Sequence, residues 1–179
     1  MAAKTTDLTR KVAPRDIARM LENGQPVVLV EDGVPFEVVE YREPTVEEVR
    51  SGAKAFRDVV LVGANGGEMP VDGYEHDRVL TVLVTPPSVG DGMHGGWGSD
   101  TYPFSVVEVN ASGKTIKVQR DNFRAGEGHD YYGAQVWVTT ENPFAPVLTA
   151  RWSAKRGQYV LTGSHALYAG RYVHQDPSF

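Results

Sequence analysis

The stretch that most restricts the fold is residues 104–120, where two runs of alternating side chains flank a four-residue turn. Val107 and Val109 alternate along the first run, Ile116 and Val118 along the second, with Asn110-Ala111-Ser112-Gly113 between them. A period of two marks a half-buried strand, and a polar, glycine-ended turn between two such runs marks a hairpin. Thr115, Lys117 and Gln119 fall opposite Ile116 and Val118 and are expected to meet water. The segment just ahead, residues 90–100, is glycine-rich and reads as a flexible entry loop.

Strand and turn continue to the end of the chain. Residues 122–133 form a polar, glycine-rich loop. Residues 134–140 are a strand with Val136 and Val138 on one face, and Asn142-Pro143 and Ala145-Pro146 break it. Another strand over 147–154 turns through Lys155-Arg156-Gly157 into a last one over 158–162. About five short strands with no helical period predict a mainly-β C-terminal half over 89–179, a small SH3-like or OB-like barrel. Tyr168, Tyr172 and Phe179 make the ending too aromatic for a free tail, so it is expected to dock back onto the barrel.

The other half differs in pattern and in charge. Residues 1–88 hold ten Lys+Arg against fifteen Asp+Glu, a net of −5, while residues 89–179 hold eight of each, a net of zero. Pro86-Pro87 marks the join. Residues 1–12 read as a frayed tail and 13–86 as a small α+β domain. A helix runs between Pro14 and Gly24 with Ile17, Met20 and Leu21 as its apolar stripe. Residues 26–30 and 34–41 pair through a tight turn at Asp32-Gly33. Thr45 and Glu48 have capping-box spacing and open a second helix with Val46, Val49, Ala53 and Phe56 on one face. Residues 58–62 and 79–84 read as inner strands, with both helices on one face of the sheet.

Composition excludes several classes. Nineteen glycines and eleven prolines are too many for a helical bundle. With no cysteine there is no disulfide, thiolate zinc site or cysteine nucleophile. A formal charge of −5 argues against nonspecific coating of nucleic acid. No apolar run reaches the roughly 20 residues that span a bilayer, and residues 1–6 lack a secretory apolar core. The expectation is a soluble, intracellular protein with no membrane partner.

Three pieces of the second half carry a resemblance. They are Gly90-Asp91-Gly92, then Tyr102-Pro103 through the Gly113-Lys114-Thr115 hairpin to Asp121, and the ending from Arg171-Tyr172 to Asp176-Pro177-Ser178-Phe179. Together they resemble a group of short phage and prophage proteins of unassigned function. The likeness excludes the first 88 residues. It implies a phage origin and a setting in the host cytoplasm or the virion, and it lends no catalytic residue.

Candidate chemistry concentrates in the same half. Lys114, Lys117, Arg120 and Arg124 cluster on and after the hairpin, opposed by Asp121 alone, with Phe123 and Trp97 as nearby stacking surfaces. A small barrel with a basic strand and exposed rings can bind single-stranded nucleic acid. The plainer reading is a strand face kept soluble by its charges. Met93, His94 and Trp97 make the glycine-rich segment a candidate recognition loop, since tryptophan favours binding hot spots. Alternatively, Trp97 folds over the barrel mouth.

His94, His129, His165 and His174, with Asp91, Asp100 and Asp130 near them, lack the spacing of a recognised metal motif. Glu75-His76-Asp77 reads as a solvated turn, and 59–67 as a plain loop without a phosphate-binding glycine pattern. Gly163-Ser164-His165 sets serine and histidine on opposite faces of a strand.

The binding set is therefore Met93, His94, Trp97, Lys117, Gln119, Arg120, Phe123 and Arg124, with no catalytic residue, metal or cofactor assigned. The function expected is a non-enzymatic phage accessory protein that binds a host or phage protein or a nucleic acid, with the countering of host defence as one role that suits it. A virion decoration or connector protein is one alternative. A His/Asp metal-dependent hydrolase or nucleotide-sequestering protein is the other.

Overall fold

The structure is a computed structural model that describes residues 8–31, 34–55, 58–72, 80–163 and 165–178. The Asp32-Gly33 turn, Phe56, Glu75-His76-Asp77, Ser164 and Phe179 lie outside the described residues. The chain divides into two compact units, Thr9–Val84 and Thr85–Phe179, the second also taking in Leu8.

The Thr9–Val84 unit is a six-stranded sheet. Its elements in chain order are β1 (Leu8–Val12), α1 (Pro14–Glu22), β2 (Val27–Glu31), β3 (Val34–Arg42), α2 (Val46–Arg50), β4 (Asp58–Gly63), β5 (Glu68–Asp72) and β6 (Leu80–Val84). The strand order is β1-β6-β2-β3-β4-β5. Helix α1 starts with Pro14 in its first turn, where a missing N–H costs nothing, and stops at Gly24 with φ +66°. Its Ile17 and Met20 join Val27, Leu29, Leu61 and Val82 in the core.

Two expectations fail in this unit. Residues 8–12 are not frayed but form β1 at the sheet edge. The second helix is only five residues long and buries none of them, because Gly52 at φ +74° ends it; Val46 is exposed. Strand β4 lies where 58–62 predicts an inner strand, and the turn after it leads into β5, a strand that no pattern in the sequence announces. The capping box itself is present, with Glu48 N donating to Thr45 Oγ1 and Thr45 N to Glu48 Oε2.

Glu48 also belongs to a surface ring of charges. Arg42 donates to both its oxygens and to Glu68, and Lys54 donates to both glutamates. These donors hold the Glu48 and Glu68 carboxyls below the usual carboxylate range, Glu48 chiefly through Arg42 and Glu68 chiefly through Lys54.

The other unit is a closed barrel of six antiparallel strands: β7 (Gly92–Trp97), β8 (Asp100–Val109), β9 (Thr115–Arg120), β12 (Val147–Ser153), β13 (Gln158–Leu161) and β14 (Ala166–Ala169). A two-stranded ribbon, β10 (Asn122–Ala125) with β11 (Trp137–Thr140), leaves the barrel between β9 and β12. Each barrel strand pairs with the next in the chain, and β14 pairs with β7 to close the ring. This up-and-down order differs from the Greek key of an OB-fold, and there are six strands rather than about five.

The hairpin lies where the alternation put it, with Ile116 and Val118 fully buried. On its first arm the core residues are Phe104 and Val106, while Val107 and Val109 are only half-buried. A bulge between Val106 and Glu108 adds a residue and shifts which side chains face inward. Met93, Ala150, Tyr159, Leu161 and Leu167 complete the interior. The Tyr159 hydroxyl donates to Gly113 O, and burial pushes its pKa up to about 12.

Gly113 has φ +68°, and a β-carbon there would run into the Pro86 ring. Gly113→Ala is expected to cost about 2–4 kcal/mol by urea denaturation, from left-handed strain plus overpacking. Gly128→Ala is the control: its φ is +74° with open space around it, so it should cost only about 1–2 kcal/mol. Equal costs would contradict the Pro86 contact.

The charge ring has a signed pH effect. A carboxyl held low in the folded state stabilises above its unfolded pKa, and that contribution is lost as pH falls through the folded value. Melting temperatures of the wild type and of Glu48→Gln/Glu68→Gln should therefore differ most at neutral pH and converge in acid. Parallel curves would show that the ring contributes nothing.

Candidate functional site

The glycine-rich segment expected to be a flexible loop is strand β7, a wall of the barrel. Its glycines mark close approaches rather than mobility. A β-carbon on Gly95 would lie 3.0 Å from Leu167 Cδ2 and 3.1 Å from Ala166 O, and one on Gly92 would collide with the Arg171 side chain. Met93 points into the core and is 4 % exposed, so it offers no binding surface. Trp97 covers the barrel end: it stacks on His165 at 4.4 Å and lies against Phe104 and Tyr102. His94 is on the outer wall, with Nδ1 donating to Gly170 O and its ring stacked on Tyr168.

Strand β9 divides its polar residues between two roles. Lys117 and Gln119 face outward. Lys117 is ion-paired with Glu108 at 2.6 Å. Gln119 Nε2 donates to Pro143 O and Ala145 O at 3.1 and 2.7 Å, gripping the carbonyls on either side of Phe144. Arg120, last in the strand, shares a face with Phe104 and sits at the barrel end, its guanidinium 3.7 Å from the centre of the Tyr102 ring. Phe123, on the ribbon, meets Tyr102 on one side and Trp137 on the other, and is 5.9 Å from the guanidinium. Arg124 follows it in the strand and so projects to the other face of the ribbon.

Asp121 does not oppose this basic cluster as expected. It is turned inward with a fully buried side chain, accepting from Ser105 Oγ at 2.7 Å and from Arg171 Nε at 2.9 Å. Arg171 Nη2 also reaches Ser105 Oγ, Gly90 O and Glu141. This ion pair bolts residue 171 to the barrel wall. Beyond it Val173 is buried, His174 bridges Thr101, Gln175 bonds Gln135, and Asp176 N donates to Asp100 Oδ1. Tyr168 and Tyr172, expected to dock the tail, are about half exposed, at 51 % and 54 %.

Between β9–β10 and the 142–146 turn lies an open cleft of about 490 Å³, lined by Arg120, Asn122, Phe123, Asn142, Phe144 and Pro146 among others. Phe144 is 95 % exposed. Its turn is held from both sides, because Asn142 Oδ1 accepts from Phe144 N and Asn142 Nδ2 donates to Asn122 Oδ1. In the sequence 142–146 reads only as a strand break. Its missed signal was an aromatic ring between two prolines, a spacing with no core strand to serve.

The imidazoles diverge. The Nδ1 atoms of His94, His129 and His165 each face a backbone carbonyl, of Gly170, Val136 and Gly96 respectively, and so carry the proton. Among the described residues no three His, Asp or Glu side chains gather in a way that could hold a metal ion. No described helix is long and apolar enough to cross a membrane. No family model, curated protein or solved structure matches the chain.

Removing Arg171 would leave the Asp121 carboxylate buried with a single hydroxyl. Arg171→Ala is expected to cost about 3 kcal/mol in urea denaturation. The same substitution made on an Asp121→Asn background should cost much less, giving a coupling energy well above 0.5 kcal/mol, roughly the scatter of independent sites. Additive losses would show that the pair is not coupled.

Proposed function

We propose that the barrel unit is a non-enzymatic binding module of a phage accessory protein. It captures its target through the cleft edged by Arg120, Phe123 and Phe144. The observation that carries this reading is Phe144: an apolar ring held almost wholly in water by hydrogen bonds to both flanking carbonyls and to its own amide. Holding it there in advance removes the ordering cost that a mobile anchor would bring to binding, and rigid aromatic anchors beside arginine typify binding hot spots.

The ionisable groups of the cleft favour holding a ligand over moving a proton. The Arg120 guanidinium offers hydrogen-bond donors and no acceptor. Asp121 has both carboxylate oxygens engaged by Ser105 and Arg171. The likeness of the second half to phage proteins supports the host cytoplasm as the setting, with a host or phage protein or a nucleic acid as the target.

The test is capture by the tagged full-length chain from infected host cells, with proteins, nucleic acids and small molecules in the eluate all identified. Phe144→Ala, which changes an exposed ring, should leave the fold intact and weaken retention of the target by about 30-fold, as for a hot-spot anchor. An eluate unchanged by Phe144→Ala and by Arg120→Ala would reject the cleft as the binding surface. Recovery of the chain as a stoichiometric part of purified virions would reject the accessory role.

A further inference from the structure

Among the side chains of the cleft Arg120 and Asn122 offer free donors and no carboxylate is free, and that selects among ligands. Asp121 has spent both oxygens. Asn142 uses its oxygen on Phe144 N and its amide on Asn122 Oδ1, which leaves the Asn122 amide nitrogen as a donor. Glu141, beside Asn142, is ion-paired with Arg171. Arg120 has no ion-pair partner among the described residues; one face of its guanidinium lies on Tyr102, which removes water and supplies no full negative charge. An exposed guanidinium without an ion pair is suited to a phosphate.

Next to that anion site stand the rings of Phe123 and Phe144, the latter open to solvent. A phosphate-seeking arginine beside one open aromatic ring, Phe144, matches the recognition of unstacked bases, where stacking is tolerant of sequence and the cation holds the backbone. A duplex requires a broad basic surface instead. Here Lys117 is neutralised by Glu108, and Arg124 projects away from Phe123. The cleft volume of about 490 Å³ falls within the range of small-ligand sites.

We infer that this cleft binds one unstacked nucleotide, its base against Phe144 and Phe123 and its phosphate on Arg120. The inference rests on reading the cleft as the binding surface and adds the class of ligand. A single strand and a free nucleotide share this chemistry, and the experiment separates them.

The full-length chain is titrated into a fluorescein-labelled single-stranded oligonucleotide about 12 nucleotides long, followed by anisotropy, with AMP and ATP as competitors and the matching duplex as a second probe. Binding of the strand with a roughly 5- to 150-fold loss for Phe144→Ala, rescued by Phe144→Trp, supports the inference. So does a fall of about 0.7 in the salt slope for Arg120→Ala. Mononucleotides that bind as well as the strand, with the same loss for Phe144→Ala, support it with a free nucleotide as the source. No binding of any probe, a duplex preferred to the strand, or binding indifferent to Phe144 overturns it. If no probe binds while capture from infected cells still depends on Phe144, the ligand class is wrong and the binding surface stands. If capture is indifferent too, both fall.

Discussion

A six-stranded barrel closes only if its first and last strands come close enough to pair, and in this chain that approach depends on glycine. Strand β7 pairs with β14 across Leu167↔Gly95, where a β-carbon would press on the Leu167 methyl and the Ala166 carbonyl. Any other residue at 95 sets packing against pairing. The same strand leaves room at Gly92 for Arg171, so one glycine-rich segment both shuts the ring and admits the bolt that holds the tail outside it.

Closure sets the two faces of the wall apart. Inside are the apolar side chains of Phe104, Val106, Ile116 and Val118. Outside, Ser105 and Asp121 are as buried as core residues because Arg171 covers them. A buried carboxylate is tolerable only with such partners, so the tail is part of the barrel's structure rather than an appendage. At the end of the wall, Arg120 and Tyr102 turn from core toward cleft, and Gln119, one residue earlier and on the opposite face, fixes the turn that carries Phe144. Adjacent residues of a single strand thus build both sides of the site.

Much of this was legible where local chemistry decides the outcome. The 104–120 hairpin follows from its alternation and turn, α1 from Pro14 and Gly24, and the Thr45–Glu48 box from its spacing. The failures share a cause, since each depended on a partner distant in sequence. Glycines in β7 look like a loop until Arg171 and Leu167 are brought against them. Residues 8–12 look frayed without β6 beside them, and 122–125 look like a loop without 137–140. The bulge at 107 reversed which valines face the core, and no period can announce an inserted residue. Of the site, Arg120 and Phe123 were named from sequence, whereas Tyr102, Asn142 and Phe144 become neighbours only once the barrel end is formed.

The central claim is that this barrel offers a preformed surface at one end, with Arg120 and Phe144 in place before any ligand arrives. Amide chemical shifts of the isotope-labelled full-length chain, recorded as ligand is added, address it most directly. The account predicts changes confined to residues 119–124 and 142–146, with the rest of the barrel still. Changes centred on His94 and Tyr168, or spread through β7 and β14, would contradict it.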